Sequence, residues 1–245
     1  MTAPSASPTP TALAPTSIES AQSAMLGLAE SHGRAWIAGY ATQVPPPWDA
    51  DATVVSVQAM REFAPIAVGD GLIWVGPGWH ARDLQAHLRE MGLASPISPE
   101  VGADAEHSLG GIVATGGAWG ATRDDGFVRV ADWVVALDVV TSDGEVLRTG
   151  APVLKSVTGY ELTRLFIGSR GTLGVIARIA LRCLPTREFA RQLPAWDRER
   201  IALPLRRPHR DEPLDRAKVH LNERLKAELD PACVFPPWEM RGNEE

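Results

Sequence analysis

Apolar positions along the chain fall mostly into short β-branched runs bounded by glycine, and only a few stretches keep helical spacing. Ala35–Ala38, Thr53–Val57, Leu72–Val75, Val146–Arg148 and Val175–Leu184 read as strands. Val134–Thr141 is almost wholly apolar, which predicts a central strand buried on both faces. Ser142-Asp143-Gly144-Glu145 follows it and reads as a hairpin turn, because Asp-Gly tolerates positive φ. A helix is predicted from Thr16, where Thr16 and Glu19 have capping-box spacing, to about Gly33. A second runs from about Ala81 to Met91, with Leu84 and Leu88 on one face and Gly92 at its end. Glu161–Phe166 gives one or two helical turns. Arg216–Leu229 gives a last helix, stopped by Asp230-Pro231.

Between these elements the pattern lapses. Residues 1–16 are Ala, Pro, Ser and Thr, too polar and proline-rich to offset ordering, and are expected to be a disordered tail. They lack the basic and apolar segments of a signal peptide. Gly39 to Trp48 holds three successive prolines, and Pro96 to Gly126 is rich in Gly, Ser and Pro. The main unit is therefore expected over 17–185, as two lobes of about 17–94 and 95–185. Residues 186–215 read as a linker and 216–245 as a C-terminal helix and tail.

Composition narrows the function classes. The chain has 245 residues, 44% hydrophobic and 22% charged, with a net charge of −6. Nucleic acid needs a basic footprint, so that partner is not expected. No apolar run approaches the roughly 20 residues that span a bilayer, so no integral membrane segment is expected. Cys183 and Cys233 stand far apart with no zinc spacing, which points to free thiols in a reducing cytoplasm. Any membrane association is expected to run through a partner.

The segment Ser108-Leu109-Gly110-Gly111-Ile112-Val113-Ala114-Thr115-Gly116-Gly117 carries the strongest chemical signal. Paired glycines let backbone N–H groups converge on an anion such as a diphosphate, although a tight loop between strands uses the same residues. Gly168 to Gly174, followed by Val175-Ile176, is a second place where backbone can approach a flat ligand. Leu72–Val75 with Gly76-Pro77-Gly78-Trp79-His80-Ala81 imitates the dinucleotide fingerprint of nicotinamide enzymes, with Glu100 in the acidic position. That fold needs a second buried parallel strand, and Pro96 and Pro99 stand where it would lie.

The six histidines form no metal-binding pair, so no metal site is expected. His80 and His87 read as solvated. His107 sits in the glycine region, as a phosphate contact or as loop filler. Tyr160 and Arg164 lie one helical turn apart, as site residues or as a core aromatic and a surface charge. Trp133 and Trp238 are read as core, with cover for a flat cofactor as the alternative.

Together, four stretches resemble the PCMH-type (vanillyl-alcohol oxidase type) FAD-binding domain, and most of all the glycolate oxidase FAD-binding E subunit. They are SLGGIVATGG over 108–117, DWVVALDVVTSDGEVLRT over 132–149, KSVTGYELTRLFIGSRGTLGVIARIALRCL over 155–184 and LNERLKAELDPACVFPPWEM over 221–240. The resemblance implies an α+β, two-lobed fold with FAD between the lobes and the cap domain truncated, since only about 186–215 stand where a substrate domain would.

It implies that Gly39, Tyr40, Ala41 and Thr42 form the first phosphate turn. Ser108, Leu109, Gly110, Gly111, Ala114, Thr115 and Gly117 would line the diphosphate and ribityl chain, with Gly102 before them. Val134, Gly171, Gly174, Val175 and Ile176 would offer backbone to the flavin or adenine. The first turn departs from the family's glycine-rich pattern, carrying Tyr40 and neither His nor Cys, which argues against covalent flavin there. The implied function is a non-covalent FAD subunit of a 2-hydroxy-acid oxidoreductase passing electrons to partner subunits. The alternative is a catalytically degenerate structural or regulatory member. Catalytic residues are not visible.

Overall fold

The computed structural model describes residues 12–40, 51–67, 70–95, 107–116, 118–123, 126–153, 162–188 and 216–237. The chain enters through β1 (Ala12–Leu13), α1 (Ile18–Glu30), β2 (Ala35–Ala38) and β3 (Thr53–Ser56). Then come β4 (Phe63–Ala67), β5 (Leu72–Val75), α2 (Ala81–Glu90), β6 (Leu93–Ala94) and α3 (Leu109–Thr115). β7 (Ala118–Arg123), β8 (Gly126–Arg129), β9 (Val134–Val140) and β10 (Val146–Gly150) follow. The remainder is α4 (Thr163–Phe166), β11 (Val175–Arg182), β12 (Leu184–Pro185) and α5 (Arg216–Leu229).

Two sheets organise these elements. β1-β3-β2 is a parallel three-stranded sheet, and β10-β9-β11-β5-β4 is a five-stranded sheet of antiparallel neighbours. Alternation along β9 and β11, reset in β11 by the irregularity between Ile176 and Arg178, explains how one sheet serves two cores. Leu137, Val139, Ile176 and Ile179 point to one face, where Leu84 and Leu88 of α2, Ile112 and Val113 of α3 and Phe166 of α4 cover them. Val140, Val175 and Ala177 point to the other face, onto Ala21, Met25 and Leu28 of α1, with Ala35, Val55 and Val234. Each fully buried Leu or Phe contributes about 1.5–3 kcal/mol. This mixed helix-and-sheet architecture is the expected α+β class.

Several expectations change. The division between the sheets does not fall near residue 94: β4 and β5 hydrogen-bond into the five-stranded sheet, so the first sheet ends with β3. The tail is ordered by residue 12, because Ala12 and Leu13 pair with Val54 and Val55 and Leu13 packs into the second core. Residues 1–11 lie outside the described residues, as do 189–215 of the expected linker. The cap of α1 is Ser17, not Thr16: its hydroxyl accepts the Ser20 N–H, and the Ser20 hydroxyl accepts the Ser17 N–H in return. β5 pairs only with antiparallel neighbours, which removes the nicotinamide-type reading. Gly76 and Gly78 have another reason to be glycine. A β-carbon there would lie 2.2 Å from the Met60 carbonyl oxygen and 2.3 Å from that of Val57. No described helix is long and apolar enough to cross a membrane.

Candidate functional site

The end of β2, the start of α3 and the approach to β11 meet at one place. The expected phosphate loop is in fact a short helix. Ser108 is its N-cap, with its hydroxyl accepting the Gly111 N–H at 3.0 Å. Gly116 ends it in the left-handed region (φ 65), where a β-carbon would fall 2.6 Å from the Gly168 Cα. The start of α3 is tied to the turn before α2: Leu109 N–H donates to the Trp79 carbonyl and Gly110 N–H to the Pro77 carbonyl, both at 2.9 Å. Its end is tied to the second glycine segment, where Arg170 N–H donates to the Ala114 carbonyl at 2.8 Å.

These walls enclose a cleft of about 710 Å³ of empty space, its open mouth included. Of the residues expected at a site, Gly39, Tyr40, Ser108, Gly110, Gly111, Ala114, Gly171, Gly174 and Ile176 line it. Leu109 and Val175 do not, being wholly buried in the two cores. Thr115 turns its hydroxyl back onto the carbonyls of Gly111 and Ile112. Val134 does not line the cleft either. It pairs with Leu181 at the far end of β11, about 17 Å along the strand from Ile176. Ala41, Thr42, Gly102 and Gly117 lie outside the described residues, as do Tyr160 and Trp238.

Trp36, Ile37, Ala38, Val57, Pro77 and Arg170 also line the cleft, and sequence reasoning missed them as site residues. Two signals were available: β2 runs directly into the Gly39 turn, and Arg170 stands inside the second glycine segment.

The polar groups depart from expectation in one respect. The amides of Leu109, Gly110, Gly111 and Ile112 all donate within the protein, so they do not converge on an outside anion. The polar side chains that line the cleft include Ser108, Arg170, His107 and Tyr40. Burial, and to a smaller extent the neighbouring His80, lowers the pKa of His107 from its ordinary value, which favours the neutral imidazole at pH 7. Tyr40, which lines the cleft, is held by its neighbours. Its hydroxyl accepts from Arg61 and donates to the Gly78 carbonyl at 3.4 Å, and its ring meets His80 edge-on at 5.1 Å. Gln58 holds the same turn, donating to the Gly39 carbonyl at 2.9 Å.

Residues 10–150 match the family described as FAD binding domain. The chain belongs to that family. Among its relatives, mitochondrial D-lactate dehydrogenase [cytochrome] of Arabidopsis thaliana is 39% identical over 52% of this chain and 22% of its own length. Glycolate oxidase subunit GlcD of Bacillus subtilis is 34% identical over 49% and 25%. Glycolate oxidase subunit GlcE of Escherichia coli is 38% identical over 42% and 28%. The matches thus span about a quarter of each curated relative. Among solved structures, alkyldihydroxyacetonephosphate synthase superposes with a TM-score of 0.59 at 18% identity, over 71% of this chain and 31% of that one. The fold is the PCMH-type FAD-binding fold.

The cleft of this FAD-binding-domain chain fits such a group. A flat ring system needs apolar walls and floors without side chains, and Trp36, Ile37, Val57 and Ile176 stand beside Ala38, Gly110 and Ala114. At Gly111 a β-carbon would meet only the Ser108 hydroxyl, at 3.0 Å, and otherwise open space. Arg170, His107 and Ser108 supply the few polar groups that a diphosphate and a sugar-like chain require.

Proposed function

We propose that this chain binds FAD non-covalently in the cleft and forms the cofactor-holding part of a flavin-dependent oxidoreductase acting on 2-hydroxy acids, with electrons leaving to a partner subunit. The observation that carries the reading is the meeting of β2, α3 and the 170–176 segment around one apolar cleft in a chain of the FAD binding domain family. When bound, FAD supplies the hydride acceptor. The chain's own residues do the rest. The apolar walls exclude water, Arg170 offers a cation to the diphosphate, and neutral His107 offers a hydrogen bond without a fixed charge. The substrate class follows from relatives named for lactate, glycolate and 2-hydroxyglutarate, all 2-hydroxy acids. The partner follows from relatives named as oxidase subunits.

The test is anaerobic. The FAD-loaded chain, alone and with any co-purifying subunits, is mixed with glycolate, D-lactate and D-2-hydroxyglutarate while the visible flavin band is followed. Bleaching by one of these acids is expected. A stable flavin band with all three, in the assembled complex, would rule out the substrate class. One observation favours a second reading, a structural or regulatory member: the α3 amides already donate internally. Tight FAD binding with rapid reduction eliminates it.

A further inference from the structure

The C-terminal helix places a buried ion pair behind the cleft. Lys226, on α5, has its side chain only 15% exposed, and Asp230 is wholly buried. The Lys226 ammonium donates to Asp230, to the Thr172 carbonyl at 2.7 Å and to the Phe235 carbonyl at 3.2 Å. The Asp230 carboxylate also accepts the N–H groups of Val234 at 2.8 Å and Phe235 at 3.1 Å. The ten residues 226–235 are thereby joined into one hydrogen-bonded hook. The hook touches both pieces of chain that border the cleft on this side. Val234 accepts the Ala35 N–H at 2.7 Å, at the start of the strand whose next residues, Trp36 to Ala38, line the cleft. Thr172 lies between Gly171 and Gly174, which line it from the neighbouring segment. The two pieces are already close, since a β-carbon on Gly171 would lie 3.3 Å from that of Ile37.

We infer that Lys226 and Asp230, although neither lines the cleft, are positioning residues for it: through Thr172 and Val234 they hold the Gly171–Gly174 wall in register with β2. The inference rests on the FAD reading of the cleft for its functional consequence, but its structural part stands without it. Charge-assisted hydrogen bonds are the strong ones, and here one ammonium makes three contacts at a point 54 residues from Thr172 along the chain. Gly171 (φ 76) and Gly174 (φ 158) have the freedom to move if the contact is lost.

The experiment uses the full chain with three variants. Lys226→Met keeps the stem and removes the charge. Lys226→Met with Asp230→Asn also avoids a buried unpaired carboxylate. Lys226→Arg is the conservative rescue. Three quantities are read: hydrogen exchange of peptides covering 168–176 and 35–38 in the FAD-free protein, against α2 as reference; FAD affinity; and the shape of the bound flavin spectrum.

The expected result is faster exchange at 168–176 but not in α2, FAD affinity about tenfold weaker in the double variant, an altered flavin band shape, and recovery of all three in Lys226→Arg. Unchanged exchange at 168–176 in the double variant, or wild-type FAD affinity and spectrum despite faster exchange, overturns the inference. If wild type itself binds no FAD while exchange at 168–176 still rises selectively, the clamp stands and the cofactor reading falls.

Discussion

A β-carbon on Gly39 would fall 2.1 Å from the Ser108 hydroxyl, while one on Gly111 would meet that hydroxyl at 3.0 Å with open cleft beyond. The two glycines therefore serve different ends. Gly39 lets β2 approach α3, and Gly111 leaves room for a guest. Gly111→Val is expected to weaken FAD binding by about tenfold to a hundredfold, as overpacking does, with an unchanged circular-dichroism spectrum. Normal FAD retention by that variant would show that the diphosphate lies elsewhere.

A separate residue decides stability. Asp138 is buried in β9, and its Oδ2 accepts Arg178 Nε at 2.9 Å and the nearer terminal nitrogen at 2.7 Å. Asp138→Ala leaves Arg178 with Glu62 at 3.4 Å and with the Trp74 ring 4.4 Å beneath it. The loss is expected to be about 2–3 kcal/mol, read from the urea midpoint at constant slope.

Burial pushes the Cys183 thiol up to about 12. The unfolded thiol titrates near its ordinary value, so between roughly pH 9 and 12 the unfolded state binds fewer protons than the folded one. Stability should therefore fall by about 1.4 kcal/mol per pH unit across that window, and Cys183→Ala should remove this part of the decline. An identical alkaline slope in the variant would contradict the assignment.

The glycine spacing of 108–117 and 168–174 was legible in the sequence as a place of close approach. What the glycines approach was not legible: a β-carbon on Gly110 would fall 2.7 Å from the Pro77 side chain and one on Gly76 would fall 2.2 Å from the Met60 carbonyl oxygen, close approaches between segments that no local pattern announces.

At the scale of elements, the spans that matched were those whose chemistry is local. Ala35–Ala38, Leu72–Val75 and Arg216–Leu229 appear with the bounds their patterns predict. α3 was hidden, because Gly110 and Gly111 lower helix propensity by about 1 kcal/mol each; long-range bonds from its first turn to Trp79 and Pro77 make it a helix. β4 was hidden by Pro65, which a strand tolerates here because β4 is an edge of the five-stranded sheet. The cap of α1 moved by one residue because Ser20 gives Ser17 a reciprocal partner at the required distance. Ser17→Ala should then destabilise the protein by about 1 kcal/mol, and Thr16→Ala by much less. Equal losses from the two variants in thermal unfolding would restore Thr16 as the cap.

Across the whole molecule, the cleft proposed to hold FAD lies where three sequence-distant pieces converge. β2 comes from the parallel sheet, α3 from the layer over the antiparallel sheet, and the 170–176 segment from the approach to that sheet's central β11. The sequence marked each piece separately, and the family resemblance joined them. The placement of β4 and β5 in the larger sheet needed the strand pairing itself. The chain matches about a quarter of the length of the dehydrogenases and oxidase subunits it resembles, so it is the cofactor cradle that can be tested first. The decisive measurement is the near-ultraviolet and visible absorbance spectrum of the purified chain, incubated with FAD and then passed through a desalting column. The account predicts flavin bands that travel with the protein at close to one equivalent, and their loss in Gly111→Val. A protein with a native circular-dichroism spectrum that emerges colourless would contradict it.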